Sequence, residues 1–311
     1  MKRLFISLAI LAGISLSSCN DSFLEKTPVT DLTENNAFNS YDNFKAFMWP
    51  CYEMFTNNTI RTSLQGFGQD GQYKGDMAAG YFQQKYESGY NEFAYQTVAS
   101  VASGNGWDFK SFIRRVNIML SHIDNSSMTE AQKDHWRAVG YFFHSFWYME
   151  LIDRFGDVPW VDQVLQEDSP EAYGPRVDRK TVADKVLERL QWAEQNIGNF
   201  TSQDGDNTIN QDCVRAVISR FGLREGTWRK YHELGDAEKY LQECVRASEL
   251  LMAAYPTLYT GTDGQPGAGY GEMWTTEDLS KVQGVILYQQ WLETIKPGHS
   301  CYYEHTSSHD I

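Results

Sequence analysis

The sequence predicts a mainly α fold, built as tetratricopeptide-like helical repeats in an α-α superhelix with long loops. Three observations predict it. From Trp107 to Tyr255 apolar residues recur every three or four positions, the period of one helix face. The periodic runs are bounded by residues that start and stop helices. Small residues (Ala138, Gly140, Ala216 and Ala247) sit where neighbouring helices must approach. Ala138, Phe142 four residues later and Pro159 beyond the helix fit the repeat pattern loosely. An irregular helical bundle fits the same spacing.

The elements follow in order. Ser40 can cap a helix from about Tyr41 whose apolar side is Phe44, Phe47, Met48 and Phe55, with Pro50 as its kink or break. Residues 60–106 form a loop insertion, rich in Gly, Gln, Tyr, Ser and Asn and without clear periodicity; long loops in compact proteins often carry function. Trp107, Phe112, Ile113, Val116, Met119, Leu120 and Ile123 then mark a helix. Thr129-Glu130-Ala131-Gln132 is a capping-box start, opening a long helix with Val139, Phe142, Phe143, Phe146, Met149 and Ile152 on one face. That helix stops near Gly156, before Pro159. Asp178 starts a helix that closes at Gly198. Asn210 caps another, running to about Tyr231, and a turn at Leu234-Gly235 leads into a helix from Asp236. After Pro256 the chain becomes glycine-rich, and Val282–Tyr288 reads as a short strand-like run.

Composition removes several function classes. The 311 residues hold 27 Lys and Arg against 41 Asp and Glu, a net charge of −14, which argues against nucleic acid or an anionic membrane surface as partner. Hydrophobic content of 41% excludes a disordered chain. Five cysteines are too few for a disulfide scaffold. Cys51, Cys213, Cys244 and Cys301 show no paired spacing, and Cys213 and Cys244 fall on apolar helix faces as buried free thiols. Aromatic residues make up 14% of the chain, and a function must account for them.

The N-terminus reads as an address. Lys2 and Arg3 precede a short apolar stretch from Leu4 to Ile14, too short to span a bilayer. Leu16-Ser17-Ser18-Cys19 follows and resembles a bacterial lipobox. The resemblance implies cleavage after residue 18 and lipidation of Cys19, with acylation of its freed amine. Residues 19–39 then form a polar tether, residues 40–259 the helical domain, and residues 260–311 the start of a loop-rich region.

Candidate chemistry lies with the aromatics of the loops. Tyr or Trp offers a rigid flat platform for the apolar face of a ligand. Tyr73, Tyr81 and Tyr90 in the loop insertion, and Trp274 near the C-terminus, are the candidate platform residues. Trp136, Trp147, Trp192 and Trp228 fall in helices, as packing or partner contacts; Trp107 begins a packing helix. Other readings are weaker. A glycosidase needs two carboxylates flanking one bond, and none of the acids is singled out as a pair. His299, His305 and His309 lie in a loop-like tail, where metal-ligand spacing arises by chance. Asp204-Gly205-Asp206-Asn207 lacks the full ligand set of a calcium loop and reads as a polar turn. Gly267-x-Gly269-x-Gly271 follows no strand and is expected to open no helix, so a dinucleotide reading fails. No catalytic set, metal or cofactor is expected.

At this point the motifs become specific. Tyr148-Met149-Glu150-Leu151-Ile152-Asp153-Arg154-Phe155-Gly156-Asp157-Val158-Pro159 ends an aromatic-rich helix downstream of a lipobox. Val214-Arg215-Ala216, then Phe221-Gly222-Leu223 and Trp228, continue the pattern. The chain resembles the RagB/SusD family of nutrient-uptake lipoproteins of Bacteroidetes along essentially all of its 311 residues. The resemblance implies a protein lipid-anchored to the outer face of the outer membrane. It would bind a glycan and pass it to a TonB-dependent (SusC-like) transporter, on which its helices dock; a minority of relatives are associated with peptides. Family members are usually longer, and this chain stops early in the loop-rich C-terminal part, so that region is expected to be incomplete. A docking scaffold without its own ligand, or a lipid-anchored glycoside hydrolase, are the other readings.

Overall fold

A computed structural model describes residues 38–55, 107–262, 267–276 and 278–288. Helix α1 (Tyr41–Met48) runs into a 3-10 helix at Trp49–Phe55. Pro50 brings no amide hydrogen to the ladder, so the helix tightens at the expected break. Ser40 holds the N-cap position, but its side chain makes no capping bond; its carbonyl accepts from the Asn43 and Phe44 amides instead.

The helices α2 (Phe112–His122), α3 (Glu130–Phe155), α4 (Arg179–Asn196), α5 (Gln211–Tyr231) and α6 (Ala237–Ala254) follow. The starts of α3 to α6 are those the sequence marks, whereas α2 begins at Phe112 and Trp107 lies before it in irregular backbone. The Thr129 hydroxyl accepts from the Gln132 amide and the Gln132 side chain accepts from the Thr129 amide. Asp178 accepts from Thr181 N at 3.2 Å and Asn210 from Cys213 N at 3.0 Å, each satisfying an orphan amide of the first turn. Gly156, at φ +69°, ends α3 in a conformation that L side chains avoid. The chain then returns along an isolated antiparallel bridge between Val158 and Val177.

Each helix runs antiparallel to the next. Met119 and Leu120 of α2 meet α3 at Gly140, while the Phe112 ring packs at a tilt against Trp147. On α3 and α4, Ser145 reaches Val186 and Tyr141 meets Trp192. On α5 and α6, Ser219 bonds Ser248 while Gly226 faces Leu241. A Cβ on Gly222 would lie 2.6 Å from the Tyr240 carbonyl oxygen, so glycine lets these two backbones touch. The result is a tetratricopeptide-like stack, with Trp147, Tyr148, Phe142, Phe143 and Phe221 in its core.

Charges finish the joints. Arg229, buried on α5, bonds Glu225 at 2.7 Å, Asp184 of α4 at 3.2 Å and the Tyr240 hydroxyl of α6 at 2.9 Å. Glu225 also pairs with Arg179 at 2.7 Å. At the other end of the same helices Glu194 receives Arg215 and Arg246 at 3.0 and 2.6 Å. Those guanidiniums hold its carboxyl below the usual range against the opposing effect of burial.

Several expectations change. Val282–Tyr288 forms no strand: a 3-10 turn at Leu279–Lys281 gives way to irregular backbone, and Ile286 and Leu287 pack on the core. The apolar run reflects burial, which periodicity alone does not separate from pairing. Gly267-x-Gly269-x-Gly271 does open a helix, α7 (Ala268–Thr275). Cys213 is buried and burial pushes its thiol up to about 11, whereas Cys244 is only half-buried.

Candidate ligand-binding surface

Helix α7 carries the exposed aromatics of the C-terminal region. Tyr270 and Trp274, one turn apart, are 71% and 70% exposed. Their ring centroids lie 6.1 Å apart at 67°, an edge-on arrangement that leaves ring surface open to solvent.

The opposite side of α7 is fixed to residues 259–262. A Cβ on Gly269 would lie 2.3 Å from the Tyr259 carbonyl oxygen and 2.5 Å from the Thr260 carbonyl carbon. Only glycine allows that approach. Gly261, at φ +83°, turns the opposing backbone. Glu272 accepts from the Tyr259 hydroxyl at 2.6 Å, the Thr262 amide at 2.7 Å and the Thr262 hydroxyl at 3.1 Å. The Tyr259 bond, then the Thr262 amide, hold its carboxyl below the ordinary carboxylate range. Of the spaced glycines, Gly269 therefore serves a backbone contact, and no strand precedes them among the described residues.

A second feature is a cleft of about 500 Å³ between α3, α5, the 49–55 turn and residues 284–287. Phe55, Phe142 and Phe146 wall it, with Glu150 and Arg220 at its polar end. Burial pushes the Glu150 carboxyl up to about 7, against the pull of Arg224. Asp204 closes a single helical turn (Thr201–Asp204) and takes the Tyr41 hydroxyl, with Lys45 at 3.2 Å and His135 at 3.7 Å. It ties α1 to α3. Burial lowers the His135 pKa to about 4, so the ring is neutral near pH 7.

Of the predicted site residues, Trp274 lies on this surface. Tyr73, Tyr81, Tyr90 and Cys19 lie outside the described residues, as do His299, His305 and His309. Trp136 and Trp147 are core residues. Trp192 packs on Tyr141 under Arg137. Trp228 is 43% exposed, with Arg179 over its ring and His232 stacked on it. Trp107 precedes α2 and meets Phe155 edge-on. Sequence reasoning missed Tyr270 as the partner of Trp274. Their four-residue spacing was the signal, and the surrounding glycines hid the helix.

Residues 22–223 match the family model of SusD-like proteins, described as starch-binding and associating with the outer membrane. No curated protein matches the chain. Solved structures share its fold. A SusD-like protein from Bacteroides fragilis is 17% identical with a TM-score of 0.59, over 86% of this chain and 47% of that one. A laminarin-binding SusD-like protein is 17% identical with a TM-score of 0.53, over 76% and 48%. NanU of B. fragilis is 14% identical with a TM-score of 0.51, over 76% and 45%. The chain spans about half the length of these structures. A family match across most of the helical stack, on an architecture that its solved members share, leads to one conclusion: the chain belongs to the SusD-like family.

Proposed function

We propose that the protein is a surface lipoprotein that binds oligosaccharides or polysaccharides without cleaving them and delivers them to a TonB-dependent outer-membrane transporter. The observation that carries the binding step is the exposed Tyr270–Trp274 pair on an anchored helix in a SusD-like chain. Two rigid rings open to solvent suit the C–H face of a pyranose and cost little entropy on binding. Tyr73, Tyr81 and Tyr90 are further candidate glycan contacts in the proposal. Residues 1–18 are the signal, Cys19 the lipid attachment point, residues 19–39 the tether, residues 40–259 the helical domain and residues 260–311 a region that contributes to ligand binding. Among the described residues no helix is long and apolar enough to cross a membrane, which is compatible with attachment by lipid; several acyl chains hold far more strongly than one.

Affinity electrophoresis of the full chain through gels containing starch or laminarin tests the binding step. Retardation by at least one polysaccharide, weakened in Trp274→Ala, is expected; no retardation by any glycan in a broad panel overturns it. Cys19→Ala is expected to release the protein from the membrane fraction, and unchanged lipid labelling overturns the anchor. A second reading, a docking scaffold, has its own observation: Leu223, Trp228, Tyr231 and Leu234 are exposed along α5 and just beyond it. That reading predicts recovery of a transporter in a pull-down with no glycan retention.

A further inference from the structure

We propose that Glu272 is the positioning residue of the aromatic pair: its three hydrogen bonds to Tyr259 and Thr262 fix the rotation of α7 so that Tyr270 and Trp274 face solvent together. The proposal rests on the glycan-platform reading above and adds the part that holds the platform in place. An eight-residue helix is too short to be stable on its own. α7 also carries Gly269 and Gly271, each unfavourable in a helix interior. Its first residues follow Gly267 at φ +83°, and no side chain caps its N-terminus. Its order must therefore come from contacts with the rest of the chain.

Those contacts converge on one side. Gly269 lies directly against the 259–261 backbone. Glu272, almost one turn later, takes a hydroxyl, an amide and a second hydroxyl from the same segment, at 2.6, 2.7 and 3.1 Å. Steric contact at Gly269 sets the distance of α7 from this segment, but a surface of glycine and backbone does not select one rotation. The Glu272 carboxylate does, because its two oxygens must meet donors on both Tyr259 and Thr262. With Glu272 turned inward, Tyr270 and Trp274 lie on the open side and share it through their four-residue spacing. Glu272 touches no ligand in this account. It lowers the ordering cost that binding would otherwise carry, the usual route by which preorganisation raises affinity.

The test uses the full chain with Glu272→Ala, Glu272→Gln and Trp274→Ala. Hydrogen exchange of the α7 amides is read without ligand, and affinity for laminarin is read by gel retardation. In Glu272→Ala the α7 amides are expected to exchange about tenfold faster or more while α3–α6 keep their protection, as for a locally opened unit. Laminarin affinity is expected to fall about 3–10-fold, by the loss of a well-placed aromatic contact. Glu272→Gln keeps a carbonyl acceptor and is expected to fall between wild type and Glu272→Ala on both readouts. Unchanged α7 exchange in Glu272→Ala overturns the positioning role, whatever the glycan result. Faster exchange with full laminarin affinity, where Trp274→Ala weakens binding, overturns it too. Faster exchange in Glu272→Ala with laminarin affinity that Trp274→Ala leaves intact upholds the anchoring of α7 and overturns the platform reading instead.

Discussion

Helices α3 and α7 are both rich in aromatic residues and use them in opposite ways. On α3, Trp136, Phe142, Phe143, Trp147 and Tyr148 are at most 5% exposed. Two of them also bond within the fold: Trp147 Nε1 donates to the Asp108 carbonyl at 2.7 Å, and the Tyr148 hydroxyl donates to the Pro159 carbonyl at 2.9 Å. On α7 Gly269 and Glu272 make the contacts, and the aromatics are left to solvent. Aromatic content alone therefore does not mark a binding surface. Exposure on a backbone held by other residues does.

The largest test of this contrast is a pair of truncations. Trp147→Ala removes a core side chain and a buried hydrogen bond, and is expected to cost about 3–5 kcal/mol. Trp274→Ala is expected to stay within about 0.5 kcal/mol of wild type. Urea denaturation of both variants checks this, and similar losses at the two positions would erase the distinction. Next is Arg229→Ala, which strips Glu225 of a buried partner at 2.7 Å. A cost of about 3–5 kcal/mol is expected for breaking such a pair, on the stack side only, with laminarin retention per folded molecule unchanged.

A smaller effect comes from Glu150, whose side chain is 16% exposed at the cleft end. Its folded-state pKa of about 7 lies above the ordinary 4.5. The stability linked to its proton is thus fully present below about pH 4.5 and is lost as the pH rises through 7. Glu150→Gln is expected to be more stable than wild type by about 1–3 kcal/mol at pH 8, with the gap shrinking toward pH 5. A gap that does not change with pH would contradict this. Because α7 lies outside this linkage, hydrogen exchange of its amides is expected to show no matching pH response beyond the intrinsic one.

Much of the stack was legible because its signals are local. Thr129, Asp178 and Asn210 cap the helices they precede, Gly156 ends α3, and the apolar period matches the buried face. The start of α7 was not legible. Gly269 lowers helix propensity, and its reason for being there is a backbone 2.3 Å from where its Cβ would stand. Val282–Tyr288 misled for a related reason: an apolar run describes burial and does not choose between strand and irregular chain. Asp204 read as a polar turn because its partners Tyr41 and Lys45 lie over 150 residues away. The site divides likewise. Trp274 could be named from composition and context, but Tyr270 and Glu272 acquire their roles only through tertiary contacts.

The most direct test of the central claim is calorimetric titration of the full chain with starch- and laminarin-derived oligosaccharides, comparing wild type with Tyr270→Ala, Trp274→Ala and the double variant. Wild type is expected to bind at least one of these, each single variant to lose about 3–10-fold, and the double variant to lose measurable binding while unfolding at the wild-type urea concentration. Equal affinity in wild type and the double variant would contradict the account.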